Sequence, residues 1–170
     1  MTPEFSRPVR LDTIGAGDRH SEISADVDER RALARRFGLI AIDRLDARFD
    51  VHRAAAGIVA QGRLSAAVVQ PCSVTGEPVP ATIDEDVRLR FVAEGSQTGD
   101  EIELSEDDCD TVFYSGGAID LGEAAAETLA LALDPFPRGP GAEAALRAAG
   151  VLSEEEAGPF AALAKLKKTD

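Results

Sequence analysis

Cys72 stands in the stretch QPCSVTGEPVP, Gln70 to Pro80, between two long runs of strand-like sequence. A tetrahedral zinc site takes four Cys or His ligands, usually as close pairs that converge without a large loop-closure cost. Thr75 occupies the position where a Cys-x-x-Cys partner would stand, and Cys109, His20 and His52 form no close pair. No metal site is expected. A cysteine nucleophile needs a base or a positive neighbour, and Cys72 is followed by Ser73, Thr75 and Glu77 instead. The expected role is a small buried hydrophobe at a strand end, with TGEPVP forming the turn.

Other chemistry is equally thin. Carboxylates are abundant, but acid-base catalysis requires two of them in unlike environments, and abundance says nothing about environment. Asp120, Glu123 and Glu127 fall near one helix edge, where capping and solvation are their ordinary tasks. YSGGAID lacks the lysine and the spacing of a phosphate-cradling loop. No catalytic constellation emerges. Two other features stand out. ALALDPFPRGPGA ends a helix in a proline-braced elbow that presents Phe136 and Arg138 together, types favoured at interface centres, on a segment that loses little entropy when a partner docks. The bland alternative is that Phe136 packs back on the sheet and the prolines only stop the helix. DERRALARRFG places Arg30, Arg31, Arg35 and Arg36 on one helix, which reads first as a solvated face balanced by nearby acids.

The elements that must position these residues are legible from periodicity. Asp26 with Glu29 three residues later forms a capping box, and Gly38 supplies a left-handed stop, so Asp26 to Phe37 reads as a helix with Val27, Leu33, Ala34 and Phe37 inward. From Leu45 the period becomes two: Leu45, Ala47, Phe49 and Val51 alternate with polar residues. A second strand is expected over about Ile58 to Val69, with Gly62 marking a bulge or a close backbone approach. A third runs from about Val79 to Ala93. Short turns between successive strands favour antiparallel pairing. Asp120 caps a further helix whose Leu121, Ala125, Leu129 and Leu133 recur at near-helical spacing, until Pro135, Pro137 and Pro140 forbid its continuation.

The 170 residues, 44% apolar, suffice for one real core. No apolar run reaches a membrane span, and the amino end carries no apolar stretch of the secretory kind, so a soluble cytoplasmic chain without a disulfide framework is expected. The net charge of -13 is unevenly placed: Met1 to Gln70 carries 11 Arg against 10 acids, and Pro71 to Asp170 carries 7 basic against 21 acidic side chains. Glu94 to Asp110 alone holds eight acids and no Lys or Arg. That excess opposes tight non-specific binding to nucleic acid, which requires clustered cations. The expected fold is α+β: an antiparallel meander or partly closed β-barrel-like sheet packed by a short N-terminal helix and a longer C-terminal one. It occupies a single domain over residues 1–140, with a flexible acidic loop at 94–110 and a loosely ordered Ala- and Glu-rich tail over 141–170.

Four stretches, FSRPVRLD, VVQPCSVTGEPVPATID, IDLGEAAAETLALALDPFPRGPGA and PFAALAKLKK, resemble in this order the YceD family, with the helix followed by LDPFPR as the most specific piece. The resemblance implies a role in accumulation of large-subunit ribosomal RNA, and the family's bacterial genes often neighbour one for a large-subunit ribosomal protein. It implies no enzymatic activity and no cofactor. Members often carry a second cysteine shortly after the first. Thr75 stands in the corresponding place here, so metal binding is not carried over. The leading expectation is a non-enzymatic ribosome biogenesis factor that binds a basic ribosomal protein or RNA-processing factor, with ribosomal RNA reached indirectly. Its contact residues would be Asp120, Glu123, Glu127, Asp134, Phe136, Pro137 and Arg138, and the acidic stretch would supply long-range attraction. The alternative is a direct ribosomal-RNA-binding module using Arg30, Arg31, Arg35, Arg36, Arg44 and Arg48.

Overall fold

The structure, a computed structural model, describes residues 3–95 and 110–151. Residues 96–109 of the expected acidic loop and 152–170 of the expected tail lie outside these. The described chain falls into two compact units, one built from 3–70 and 80–134, the other from 71–79 and 135–151. Together they make a mixed α+β structure with three α-helices and a mostly antiparallel five-stranded sheet.

In the first unit, a short strand β1 (Pro8–Arg10) is followed by a 3-10 turn (Leu11–Thr13), strand β2 (Arg19–Ser24) and helix α1 (Val27–Phe37). The capping box forms as expected. The Asp26 carboxylate accepts from the Asp28 and Glu29 amides at 2.9 Å, and the Glu29 carboxylate accepts from the Asp26 amide at 2.8 Å. Gly38 closes the helix with φ 67, a conformation a side chain would strain. Leu33 and Ala34 are buried, and Phe37 packs partly buried against the core. Val27 is a correction to the expected inward set: it is 51% exposed, because the first helical position precedes the turn that faces the core.

Long strands β3 (Ala41–Ala54) and β4 (Gly57–Pro71) pair antiparallel in a hairpin closed by Ala54↔Gly57. Their alternation buries Leu45, Phe49 and Val51 from one strand and Ile58, Leu64 and Val68 from the other. The interruption near Gly62 is a close approach: a Cβ there would stand 1.8 Å from the Arg48 carbonyl oxygen. The ladder's one shift in register falls elsewhere, between Ile42 and Arg44. Strand β5 (Pro78–Ala93) adds Ile83, Val87, Leu89 and Phe91 to the core.

The expected partly closed barrel is not what forms. The sheet order is β2-β3-β4-β5-β6, open, with β2 and β6 (Asp110–Tyr114) at its two edges. β6 lies parallel to β5, Leu89 opposite Asp110 through Ala93 opposite Tyr114, so the meander does not continue as a hairpin. The chain then forms β7 (Ala118–Asp120), which pairs with β1 in a separate two-stranded ribbon, and enters α2 (Leu121–Ala132). α2 buries Leu121, Ala124, Ala125, Ala126 and Leu129 in the same apolar cluster as the sheet and α1. Its small residues permit close packing: a Cβ at Gly122 would lie 2.6 Å from the Phe5 carbonyl oxygen. Leu133 stands one residue past the helix, extended and partly buried.

Gly62→Ala drives a methyl group into the β3 backbone and is expected to destabilise the chain by ~2 kcal/mol. The midpoint of denaturant unfolding measures it. An unchanged midpoint would mean that the strands separate there at no cost.

Candidate partner-binding site

In the second unit, the turn Cys72–Glu77 and the elbow after α2 are built on one another. The Cys72 amide donates to the Glu77 carbonyl at 2.8 Å and the Gly76 amide to the Cys72 carbonyl at 2.9 Å, with Gly76 at φ 74. The Ser73 amide donates to the Pro137 carbonyl at 2.7 Å. From the other side, the Gly139 amide donates to the Cys72 Sγ at 3.4 Å. Gly139 sits where a Cβ would lie 3.4 Å from a Val79 methyl carbon, so the elbow lies flat on the turn. Pro137 is buried, Phe136 is 71% exposed and Arg138 is exposed. Phe136 therefore does not fill an interior site. Helix α3 (Ala142–Ala148) follows, with Ala142 buried.

Cys72 is buried at the end of β4, the position expected of it, but its surroundings are polar. The Gly139 amide, the Thr75 hydroxyl and the Thr75 and Val74 amides favour the thiolate, and burial opposes it. The balance brings the thiol down to about 6. Sequence reading missed this because Gly139 is distant in the chain and backbone amides leave no residue-type signal. No group of three or more potential metal ligands converges among the described residues.

The first unit uses much of the acidic set internally. The Asp120 carboxylate caps α2 through the Gly122 and Glu123 amides at 2.9 and 3.2 Å, and also accepts from the Arg7 amide at 2.7 Å and from the Ser6 hydroxyl. Glu123 receives the Arg36 guanidinium at 2.7 Å, and Glu4 receives it at 3.0 Å. Those two carboxylates hold the Arg36 pKa above its ordinary value, with Glu123 the larger cause. Glu127 is exposed on α2, and the Asp134 carbonyl accepts from the Gln70 amide side chain at 2.8 Å.

The arginines of the alternative reading lie on two elements, α1 and β3. Arg30 donates to the Ala25 carbonyl at 2.6 Å, Arg31 pairs with Asp28 at 3.2 Å, and Arg44 lies 3.5 Å from Asp46. Arg35 and Arg48 are exposed. Arg48 stands across the ladders from Glu22 in β2 and Arg63 in β4, and Arg63 in turn pairs with Asp84 at 2.8 Å and Asp86 at 3.3 Å. The outer face of the sheet thus carries both signs of charge.

Among comparisons with known proteins, the family model described as Large ribosomal RNA subunit accumulation protein YceD matches residues 60–167. The match begins in β4, so the opening FSRPVRLD stretch, α1 and β3 lie outside it. No curated protein and no solved structure matches the chain.

The thiolate makes a pH prediction. A folded-state pKa lowered to about 6 adds stability that is present above the unfolded thiol's ordinary range and is lost as pH falls through about 6. In a Cys109→Ser background, thiolate absorbance is expected to titrate with a midpoint near that value, and Thr75→Val is expected to raise it. A midpoint at an ordinary free thiol's value of about 8.5 would contradict the donor arrangement.

Proposed function

The chain belongs to the YceD family, and on that premise we propose that it is a non-enzymatic ribosome biogenesis factor supporting accumulation or processing of large-subunit ribosomal RNA by binding a basic protein. The family match supports the part of this reading that concerns large-subunit ribosomal RNA. Charge gives it a physical form. A body with net charge -13 is repelled by RNA phosphates and attracted by proteins whose own business is to neutralise them. Long-range attraction of this kind raises encounter rates, and affinity then has to come from a desolvated contact.

The elbow supplies such a contact. Phe136 and Arg138 project from a backbone pinned by the Ser73 to Pro137 and Gly139 to Cys72 bonds, so little conformational entropy remains to be lost on docking. Aromatic and arginine side chains on a rigid base are the usual carriers of interface energy. The protein performs no bond chemistry and takes no cofactor in this reading, and it acts in the cytoplasm, where ribosomes are assembled. No described helix is long and apolar enough to cross a membrane.

In cells lacking the protein, the ratio of large- to small-subunit ribosomal RNA is expected to fall and to be restored by the wild-type chain. It is expected not to be restored by Phe136→Ala combined with Arg138→Ala, at equal abundance and unchanged stability. A normal ratio in the deletion strain would remove the role in RNA accumulation. Restoration by the double variant would remove the elbow.

A further inference from the structure

The first unit carries a candidate surface of its own. Val87 and Leu89 of β5, Val112 of β6 and Ala124 of α2 line a groove of about 530 Å³, inside the roughly 300 to 1,000 Å³ range of sites that bury a bound group. Leu131 stands at its wall with 84% of its surface exposed, although it belongs to the helix that otherwise buries its leucines. Val87, Leu89 and Ala124 are themselves nearly covered, so the apolar surface whose covering would release water is mainly that of Leu131, beside the partly buried Val112.

The rim has the opposite character. Glu85, Asp86, Asp110 and Glu127 surround the groove against one cation, Arg88. Asp86 shares Arg63 at 3.3 Å, whereas Glu85, Asp110 and Glu127 make no ion pair among the described residues. The Thr128 hydroxyl, which also faces this groove, donates back to the Ala124 carbonyl of its own helix at 2.9 Å. Carboxylates only accept hydrogen bonds, so the occupant has to bring donors and positive charge to the rim and apolar bulk to the floor. A second copy of a chain with net charge -13 is poorly suited to that rim.

We propose that this groove docks a short basic segment of a partner protein, one that seats a bulky apolar side chain against Leu131 and the floor while Lys or Arg meets Glu85, Asp110 and Glu127. The inference rests on the reading of a basic protein partner and gives that partner a chemistry and an address.

The test uses the full-length, isotope-labelled chain and two synthetic peptides, Lys-Lys-Leu-Lys-Leu-Lys-Lys and the same peptide with Ser for each Leu. The leucine peptide is expected to shift the amide resonances of Val87, Leu89, Val112 and Ala132. The serine peptide is expected to bind at least about tenfold more weakly, equivalent to ~1.4 kcal/mol. Leu131→Asp should weaken the leucine peptide by a similar factor, Glu127→Lys should weaken it and flatten its salt dependence, and Val27→Asp on α1 should change nothing. Equal affinity of the two peptides, full affinity in Leu131→Asp at unchanged unfolding midpoint, or shifts confined to other surfaces would overturn the proposal. A normal large-subunit RNA ratio in the deletion strain would remove the functional reading while leaving a peptide seated in the groove. A lowered ratio with no peptide binding would remove the groove while leaving that reading.

Discussion

The Asp120 carboxylate is the point on which the first unit turns. One short side chain satisfies the first amides of α2, receives the Arg7 amide and the Ser6 hydroxyl, and so joins the start of a helix to a segment more than a hundred residues earlier. A cap of this kind contributes ~1 kcal/mol to the helix by itself, and a buried amide left without it would cost more. The arrangement also fixes the entry of the chain into α2 from β7, whose partner strand β1 follows directly after Arg7. The Arg36 guanidinium repeats the same tie one step outward, bridging Glu4 and Glu123 from α1.

This economy explains how a chain with 5% aromatic residues and no tryptophan holds a core. Alanines and Gly122 let α2 approach its neighbours closely, and Gly62 lets β3 and β4 do the same. It also sorts the acids by role. Asp120 and Glu123 are drawn into the fold, while Glu127 stays on the surface beside an apolar groove with Glu85 and Asp110. The second unit obeys the same logic through backbone amides, which pin the elbow and surround the Cys72 thiol at once.

What was readable in the sequence was what local rules govern. Asp26, Glu29 and Gly38 announce α1; the period-two runs announce β3, β4 and β5; Asp120 announces α2 and the prolines its end. The strands that escaped detection, β1, β2, β6 and β7, hold three to six residues each, too few for a period of two to stand out. Pro8–Arg10 and Ala118–Asp120 hold three residues each, and neither shows a pattern until it is paired with the other. The parallel placement of β6 escaped for a related reason, since its pairing with β5 is a long-range contact that five residues do not encode. The elbow was visible from its prolines. The staple beneath it was not, because Ser73 and Gly139 act through main-chain groups that any residue carries. The groove was hidden too: its floor reads as ordinary strand and helix core, although the spacing of Leu121, Ala125, Leu129 and Leu133 already leaves Leu131 off the inward face.

The proposed function has this acidic chain grip a basic protein. A photoreactive amino acid placed at position 136 in the otherwise native chain, activated in living cells at normal abundance, tests it most directly. The account predicts covalent adducts to a basic protein of the large ribosomal subunit or its processing machinery, weakened by added salt in extracts. Adducts to ribosomal RNA itself, or none at all while large-subunit RNA accumulates normally, would contradict it.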